Sequence, residues 1–249
     1  MRSFFVSLLP IFVLSLQSIE AQTLSKIKSG DGIEITADLY TMHPDTADFI
    51  ILFHQAGWSR GEYLEIAPKL NARGYNCLAV DQRSGNAVNG VSNTTYQNAT
   101  RAMKETKYLD AYQDIVAVVD HVRANYAKGR VIIWGSSYSS SLVLRYAGEF
   151  ADNIDAALAF SPGEYFKNFG KPGDYIQSFA GDIDDPVFVT SARNEKNNWW
   201  SIYEAIPGES KTYFVPESLG NHGSRALWQK FTDHRAYWEA VDAFLTNLP

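Results

Sequence analysis

The sequence predicts an α/β protein, with a mostly parallel central sheet, helices on both faces and a small cap segment. Three observations predict it. Short continuous apolar runs of strand length recur at 49–53, 76–80, 131–133, 154–160 and 187–190, bounded by glycine or polar turns. Between several of them lie stretches with apolar residues at helical spacing. No segment repeats, so the alternation describes one sheet wound by crossovers rather than an array.

The chain opens Met1-Arg2-Ser3 and runs into an apolar stretch from Phe4 to Leu16, broken by Pro10 and followed by Ala21. One positive charge, an apolar core too short to span a bilayer comfortably, and a small residue at Ala21 describe a secretory leader cut after Ala21. A secreted or periplasmic protein without a stable membrane anchor is therefore expected. Removing 21 of 249 residues leaves 228, enough for a single α/β domain over 22–249.

Two antiparallel strands are predicted at 24–28 and 33–40, joined by Ser29-Gly30-Asp31-Gly32. The strand at 49–53 runs into His54-Gln55-Ala56-Gly57-Trp58. A helix follows over 62–72, with Leu64, Ile66, Ala67 and Leu70 inward and Gly74 as its stop. The strand at 76–80 ends in Asp81-Gln82-Arg83-Ser84-Gly85. Residues 82–107 are polar and long for a connection, and are read as part of a cleft rim.

A helix over 109–126 places Leu109, Tyr112, Ile115, Val116, Val119, Val122 and Tyr126 on one face. Asp110, Asp114, Asp120 and Arg123 are read as its solvated side. Beyond the strand at 154–160, residues 163–185 mix aromatics with glycine and proline and read as a cap-like insertion. A strand at 187–190, a helix at 199–206, a strand at 211–215 and a terminal helix or helix pair at 226–248 complete the chain.

The formal charge of −6 argues against a nucleic-acid binder or a binder of anionic membranes. Cys77 is the only cysteine, so no internal disulfide can form, and its apolar setting marks a small buried hydrophobe. Aromatics at 14% fit a large core and an apolar substrate cleft.

The chemistry is concentrated where the strand at 131–133 meets a helical pattern, at Gly135-Ser136-Ser137-Tyr138-Ser139. This reads as a nucleophile elbow, a strand-to-helix turn that holds Ser137 clear of the sheet at the head of a helix. Small residues on both sides let the two backbones approach. The helix N-terminus favours a developing oxyanion, and the Tyr138 N–H is placed to donate to it. Serine stands at 139 where the usual pattern has glycine.

A serine hydroxyl needs a base and a carboxylate to orient that base. His222, between Gly220 and Gly223 after the last strand, is the best base. His43, His121 and His234 lie in a turn or on helices. Asp182, Asp184 and Asp185 precede their strand and stand at its wrong end for the work.

From about Ile33 onward the chain resembles the α/β-hydrolase superfamily, in its compact dienelactone-hydrolase-like branch. The elbow, the strand-end His54-Gln55-Ala56-Gly57, the strand from Pro186 leading to Glu195, and Gly220-Asn221-His222-Gly223 carry the resemblance. It implies the order Ser137, Glu195, His222, with Glu195 as the acid, and an oxyanion hole from the Ala56 and Tyr138 N–H groups, Gln55 being the alternate to Ala56. His54 and Arg83 match structural residues of that superfamily.

The reading is a secreted serine hydrolase of carboxylic esters acting through an acyl-enzyme on a small-molecule substrate. A serine peptidase or lactone hydrolase would use the same three residues, and a non-catalytic binding protein could share the fold. No cofactor is implied. Neither a His-Glu-x-x-His motif nor paired cysteines occurs, so no metal site is expected.

Overall fold

The computed structural model describes residues 22–208 and 211–249, and the leader with its expected cut after Ala21 lies outside them. In chain order the elements are β1 Thr23–Lys28, β2 Glu34–Tyr40, β3 Phe49–Phe53, α1 Ile66–Asn71, β4 Asn76–Val80, β5 Ala87–Val88, β6 Val91–Ser92, α2 Thr94–Arg101 and α3 Tyr112–Asn125. There follow β7 Val131–Ser136, α4 Tyr138–Glu149, β8 Ala156–Phe160, α5 Tyr175–Ala180, β9 Val187–Thr190, α6 Lys196–Ala205, β10 Lys211–Phe214 and α7 His234–Thr246.

Eight strands form one sheet in the order β1-β2-β4-β3-β7-β8-β9-β10. The pairs β1/β2 and β2/β4 are antiparallel and every later pair is parallel. Buried strands alternate between the faces with the two-residue period of a pleat. Phe49, Ile51 and Phe53 of β3 and Val131 and Ile133 of β7 join α3, α4, α5 and α6 in one core. Ile50, Leu52, Ile132 and Trp134 join α1 and α7 in the other. Helices therefore cover both sides.

Three local expectations change. The helix expected over 62–72 is a 3-10 turn, Arg60–Tyr63, followed by α1. Pro68 has no N–H to bond Leu64 and its ring crowds that carbonyl, so the helix starts afresh at Ile66. The polar rim over 82–107 holds the β5/β6 hairpin and α2, with Asn93 as the N-cap accepting the Tyr96 N–H at 2.8 Å.

The third change concerns Asp114, which is fully buried rather than solvated. Its carboxylate accepts the Arg83 backbone N–H at 2.8 Å and the guanidinium at 2.7 Å. Arg83 also reaches Asp31 at 2.8 Å and holds that carboxyl well below the usual carboxylate range. One buried cation thus locks α3 and the β1/β2 turn to the end of β4. Residues 163–185 carry α5, which packs against α4 and α6, with Phe166, Ile176 and Ala180 buried.

Candidate active site

The chain leaves β3 for β4 on one side, yet β7 lies against β3 on the other. Strand order reverses at that point, where diverging connections leave a crevice beyond the carboxyl ends. Loop 54–59 follows β3, the elbow follows β7, Ser161 follows β8 and Glu195 follows β9, so the predicted residues of these loops, joined by Ser161, sit on consecutive strand ends.

Ser137 has φ 59° and ψ −125°, a conformation that costs a non-glycine residue about 1–3 kcal/mol. Its surroundings hold it. The Ser137 N–H donates to Phe160 O at 2.7 Å, and the Ser140 N–H donates to Ser137 O at 2.9 Å. Gly135 is required, because a Cβ there would stand 2.4 Å from Ser140 Cα. Ser139, the departure from the usual glycine, is fully buried. Its Oγ accepts the Ser136 N–H at 2.8 Å and lies 2.7 Å from Phe53 O and 2.9 Å from Ser136 O, so the hydroxyl ties the elbow to β3.

The structure brings Ser137, His222 and Glu195 together. Ser137 Oγ is 2.8 Å from His222 Nε2, and His222 Nδ1 is 2.6 Å from Glu195 Oε1. An ionised carboxylate only accepts, so Nδ1 carries the imidazole proton and Nε2 offers its lone pair to the serine. Burial pushes the Glu195 carboxyl up, but the hydrogen bond and charge of His222, with the Ser161 hydroxyl and the Ala192 N–H, bring it below its ordinary value. Ser137 as a residue is 7% exposed.

The loop after β3 is fixed by a buried histidine. His54 Nε2 accepts the Gln82 N–H at 2.9 Å, so the ring proton is on Nδ1, which donates to Gln55 O at 2.8 Å. Burial pulls His54 down to about 4, and it stays neutral. Asn93 bonds to Gln82 O and Trp58 O, so the rim segment braces this loop. The Gln55 N–H donates to Glu62 Oε2 at 2.8 Å and is committed. The N–H groups of Ala56 and Tyr138 have no hydrogen-bond partner among the described residues. In a trans peptide the Ala56 N–H points opposite to Gln55 O, away from His54.

The other histidines are bonded elsewhere. His43 Nε2 is 2.7 Å from Asn71 O, His234 Nδ1 is 2.7 Å from Phe231 O, and His121 edges against Tyr126. Two polar residues escaped the sequence reading. Ser161 touches both Glu195 and the loop carrying His222, and Glu62 lies fully buried behind the elbow. Neither left a clear trace, since a lone serine at a strand end and a lone glutamate at the start of an expected helix both look like surface residues.

A parallel sheet with a strained serine between strand and helix and an imidazole over its hydroxyl defines the α/β-hydrolase fold and its serine hydrolases; this chain is one of them. Residues 44–197 match the family described as serine aminopeptidase, S33, and the chain belongs to that family. No curated protein matches the chain in sequence. Among solved structures it is similar to the esterase Pf2001 of Pyrococcus furiosus, at 19% identity over 91% of this chain and 92% of that one, with a TM-score of 0.69. It is also similar to a dienelactone hydrolase of Anabaena variabilis, at 13% identity over 91% and 97% with a TM-score of 0.69. Est1E of Butyrivibrio proteoclasticus, solved with ferulic acid bound, matches at 15% identity over 90% and 98% with a TM-score of 0.70. At these identities the likeness is one of fold.

Proposed function

We propose that the chain hydrolyses carboxylic esters by acyl transfer, with Ser137 as nucleophile, His222 as general base and Glu195 as the group that orients it. The observation that carries this is the unbroken line of short contacts, 2.8 Å from Ser137 Oγ to His222 Nε2 and 2.6 Å from His222 Nδ1 to Glu195 Oε1. Ser137 Oγ attacks the ester carbonyl as its proton passes to Nε2. The resulting oxyanion is received by the Ala56 and Tyr138 N–H groups, because Gln55 is already engaged with Glu62. The imidazolium returns the proton to the leaving alkoxide, and the acyl-enzyme forms. Water, deprotonated by His222, then releases the acid and restores Ser137.

An aminopeptidase is the second reading, favoured by the description of the matched family. Such an enzyme needs a carboxylate to receive the α-ammonium group of its substrate. Glu62 is bonded within the fold, and Glu164 accepts the Ile176 and Gln177 N–H groups at the head of α5. That weighs toward esters. Turnover of p-nitrophenyl acetate that vanishes in a folded Ser137→Ala variant, with fluorophosphonate labelling of Ser137 in the parent, tests the proposal. Unchanged turnover in that variant removes it, and a parent inert to both ester and probe points to a binding protein. Hydrolysis of aminoacyl anilides in preference to esters moves the assignment to the peptidase.

The same proposal includes export, carried by the leader ahead of Gln22. Amino-terminal sequencing of the secreted or periplasmic product is expected to begin at Gln22.

A further inference from the structure

Glu62 is a fully buried glutamate directly behind the elbow, and the acyl-transfer steps make no use of it. Its Oε2 accepts the Gln55 backbone N–H at 2.8 Å. Its Oε1 accepts the Ser136 hydroxyl at 2.7 Å, with Gln55 Nε2 at 3.4 Å. Ser136 Oγ in turn accepts the Ser224 N–H at 2.9 Å, two residues beyond His222. One carboxylate therefore joins the loop after β3, the elbow and the loop of the base.

Each of these links is tight. Gln55 is held at both ends, its N–H by Glu62 and its carbonyl by His54, so the plane of the following peptide and the direction of the Ala56 N–H are set. Gly223 has φ 71°, and a Cβ on it would stand 2.5 Å from Ser136 Oγ, so the loop of His222 rests directly on the Ser136 hydroxyl. We propose that Glu62 is a positioning residue: its carboxylate sets the oxyanion donor at Ala56 and, through Ser136, the loop of His222, and turnover requires it in the ionised form.

The requirement for charge comes from a count of donors. Ser136 already accepts from Ser224, so its own proton is directed at Glu62, and the Gln55 N–H and Nε2 groups can only donate. Three donors converge on two oxygens. A proton added to the carboxylate has only donors around it, so it is left without an acceptor, and the neutral group accepts the Gln55 and Ser136 bonds more weakly. Burial pushes Glu62 up to about 7, against the hydrogen bonds from Gln55 and Ser136 and the charge of His222. The titratable groups around it are His54, neutral and held near 4, the phenols of Tyr63 and Tyr138, both raised by burial, and the imidazole of His222. Among the described residues no lysine or arginine forms a salt bridge with it.

This inference rests on the proposed roles of Ser137, His222 and Glu195, and Ser137→Ala separates the two. If that variant still turns over p-nitrophenyl acetate, the roles themselves fail. With Ser137→Ala inactive, Glu62→Gln is expected to fold, to keep KM within about threefold and to lose about 10- to 100-fold in kcat, the scale of a misplaced reacting group. The acid limb of log kcat against pH is steeper in the parent than in Glu62→Gln, because the parent must also ionise Glu62. Glu62→Asp restores the charge and recovers part of kcat with the steeper limb. Should Glu62→Gln not fold, Ser136→Ala carries the test, since it cuts the link to Ser224 while leaving the Gln55 bond, and it too is expected to lower kcat. A folded Glu62→Gln with kcat within twofold of the parent, or with an unchanged acid limb, overturns the inference. So does Ser136→Ala with parental kcat.

Discussion

Ser161 and Glu195 are joined by a hydrogen bond of 2.7 Å, from the serine hydroxyl to the glutamate oxygen that does not face His222. The same hydroxyl accepts the Gly223 N–H at 2.9 Å. Ser161 thus fixes Glu195 and the loop of His222 relative to each other, from a buried position just after β8 with φ 57°. A hydrogen bond to a charged group contributes about 1.5–3 kcal/mol, and each 1.36 kcal/mol of barrier is tenfold in rate. Ser161→Ala is expected to lower kcat by about 10- to 100-fold with KM nearly unchanged, measured on p-nitrophenyl acetate. A parental kcat would show that Glu195 needs no such support.

Glu195→Gln tests orientation rather than proton transfer. An amide can accept from Nδ1 through its oxygen or donate to it through its nitrogen, and the second arrangement moves the imidazole proton to Nε2, where it blocks attack. The expected loss in kcat is about 10²- to 10⁴-fold, smaller than that of Ser137→Ala or His222→Ala. Equal losses in all three variants would mean that the carboxylate does more than hold the ring.

Ser139→Gly restores the residue usual in the elbow, and it is nonetheless expected to destabilise the protein. The substitution removes the acceptor of the Ser136 N–H and one donor to Phe53 O, at a site without water access. Phe53 O keeps the Tyr63 hydroxyl at 2.7 Å, so the loss centres on the orphaned N–H. A cost of about 1–3 kcal/mol is expected in urea unfolding. No change in midpoint would show that the usual glycine serves equally well.

The strands and the nucleophile turn were legible because they depend on local pattern. A run such as Phe49–Phe53 has one physical solution in a sheet covered on both faces, and Gly135 to Ser139 has few. Glu62, Asp114 and Ser161 were not legible, because burial of a polar group is decided by partners far away in the chain. Asp114 lies among helix residues whose neighbours Asp110 and Asp120 are not buried, and only the approach of Arg83 from the end of β4 makes its burial possible. The short hairpin β5/β6 was hidden for a related reason: two-residue strands carry no periodicity.

Arg83 supplies the corresponding stability test. It is 1% exposed and bonded to two carboxylates, one of them fully buried. Removing one partner of a buried pair leaves an uncompensated charge and costs about 3–5 kcal/mol. Arg83→Met is expected to lose about that much in urea unfolding. The double variant Arg83→Met/Asp114→Leu is expected to recover part of it. A single variant within 1 kcal/mol of the parent would indicate that Asp114 is solvated or neutral.

His54 and Glu62 shape the pH dependence of stability in opposite directions. Burial lowers His54 from 6.5 to about 4, so the folded protein binds fewer protons there. Its contribution is complete above 6.5 and is lost as pH falls toward 4. Burial raises Glu62 from 4.5 to about 7, so its contribution is complete below 4.5 and is lost as pH rises through 7. Between 4.5 and 6.5 the two slopes oppose each other, and stability is expected to be flat and maximal there, with each flank left with about half a pH unit of uncompensated slope, on the order of 0.7 kcal/mol. Urea midpoints from pH 4 to 8 measure this. Glu62→Gln is expected to remove the decline between 6.5 and 7.5 and to turn the flat region into a rise up to 6.5, where the His54 slope is no longer opposed; a decline that persists in that variant would assign it to another group. Because the ionised carboxylate is also the form that satisfies Gln55 and Ser136, the pH range in which turnover rises is the one in which stability falls.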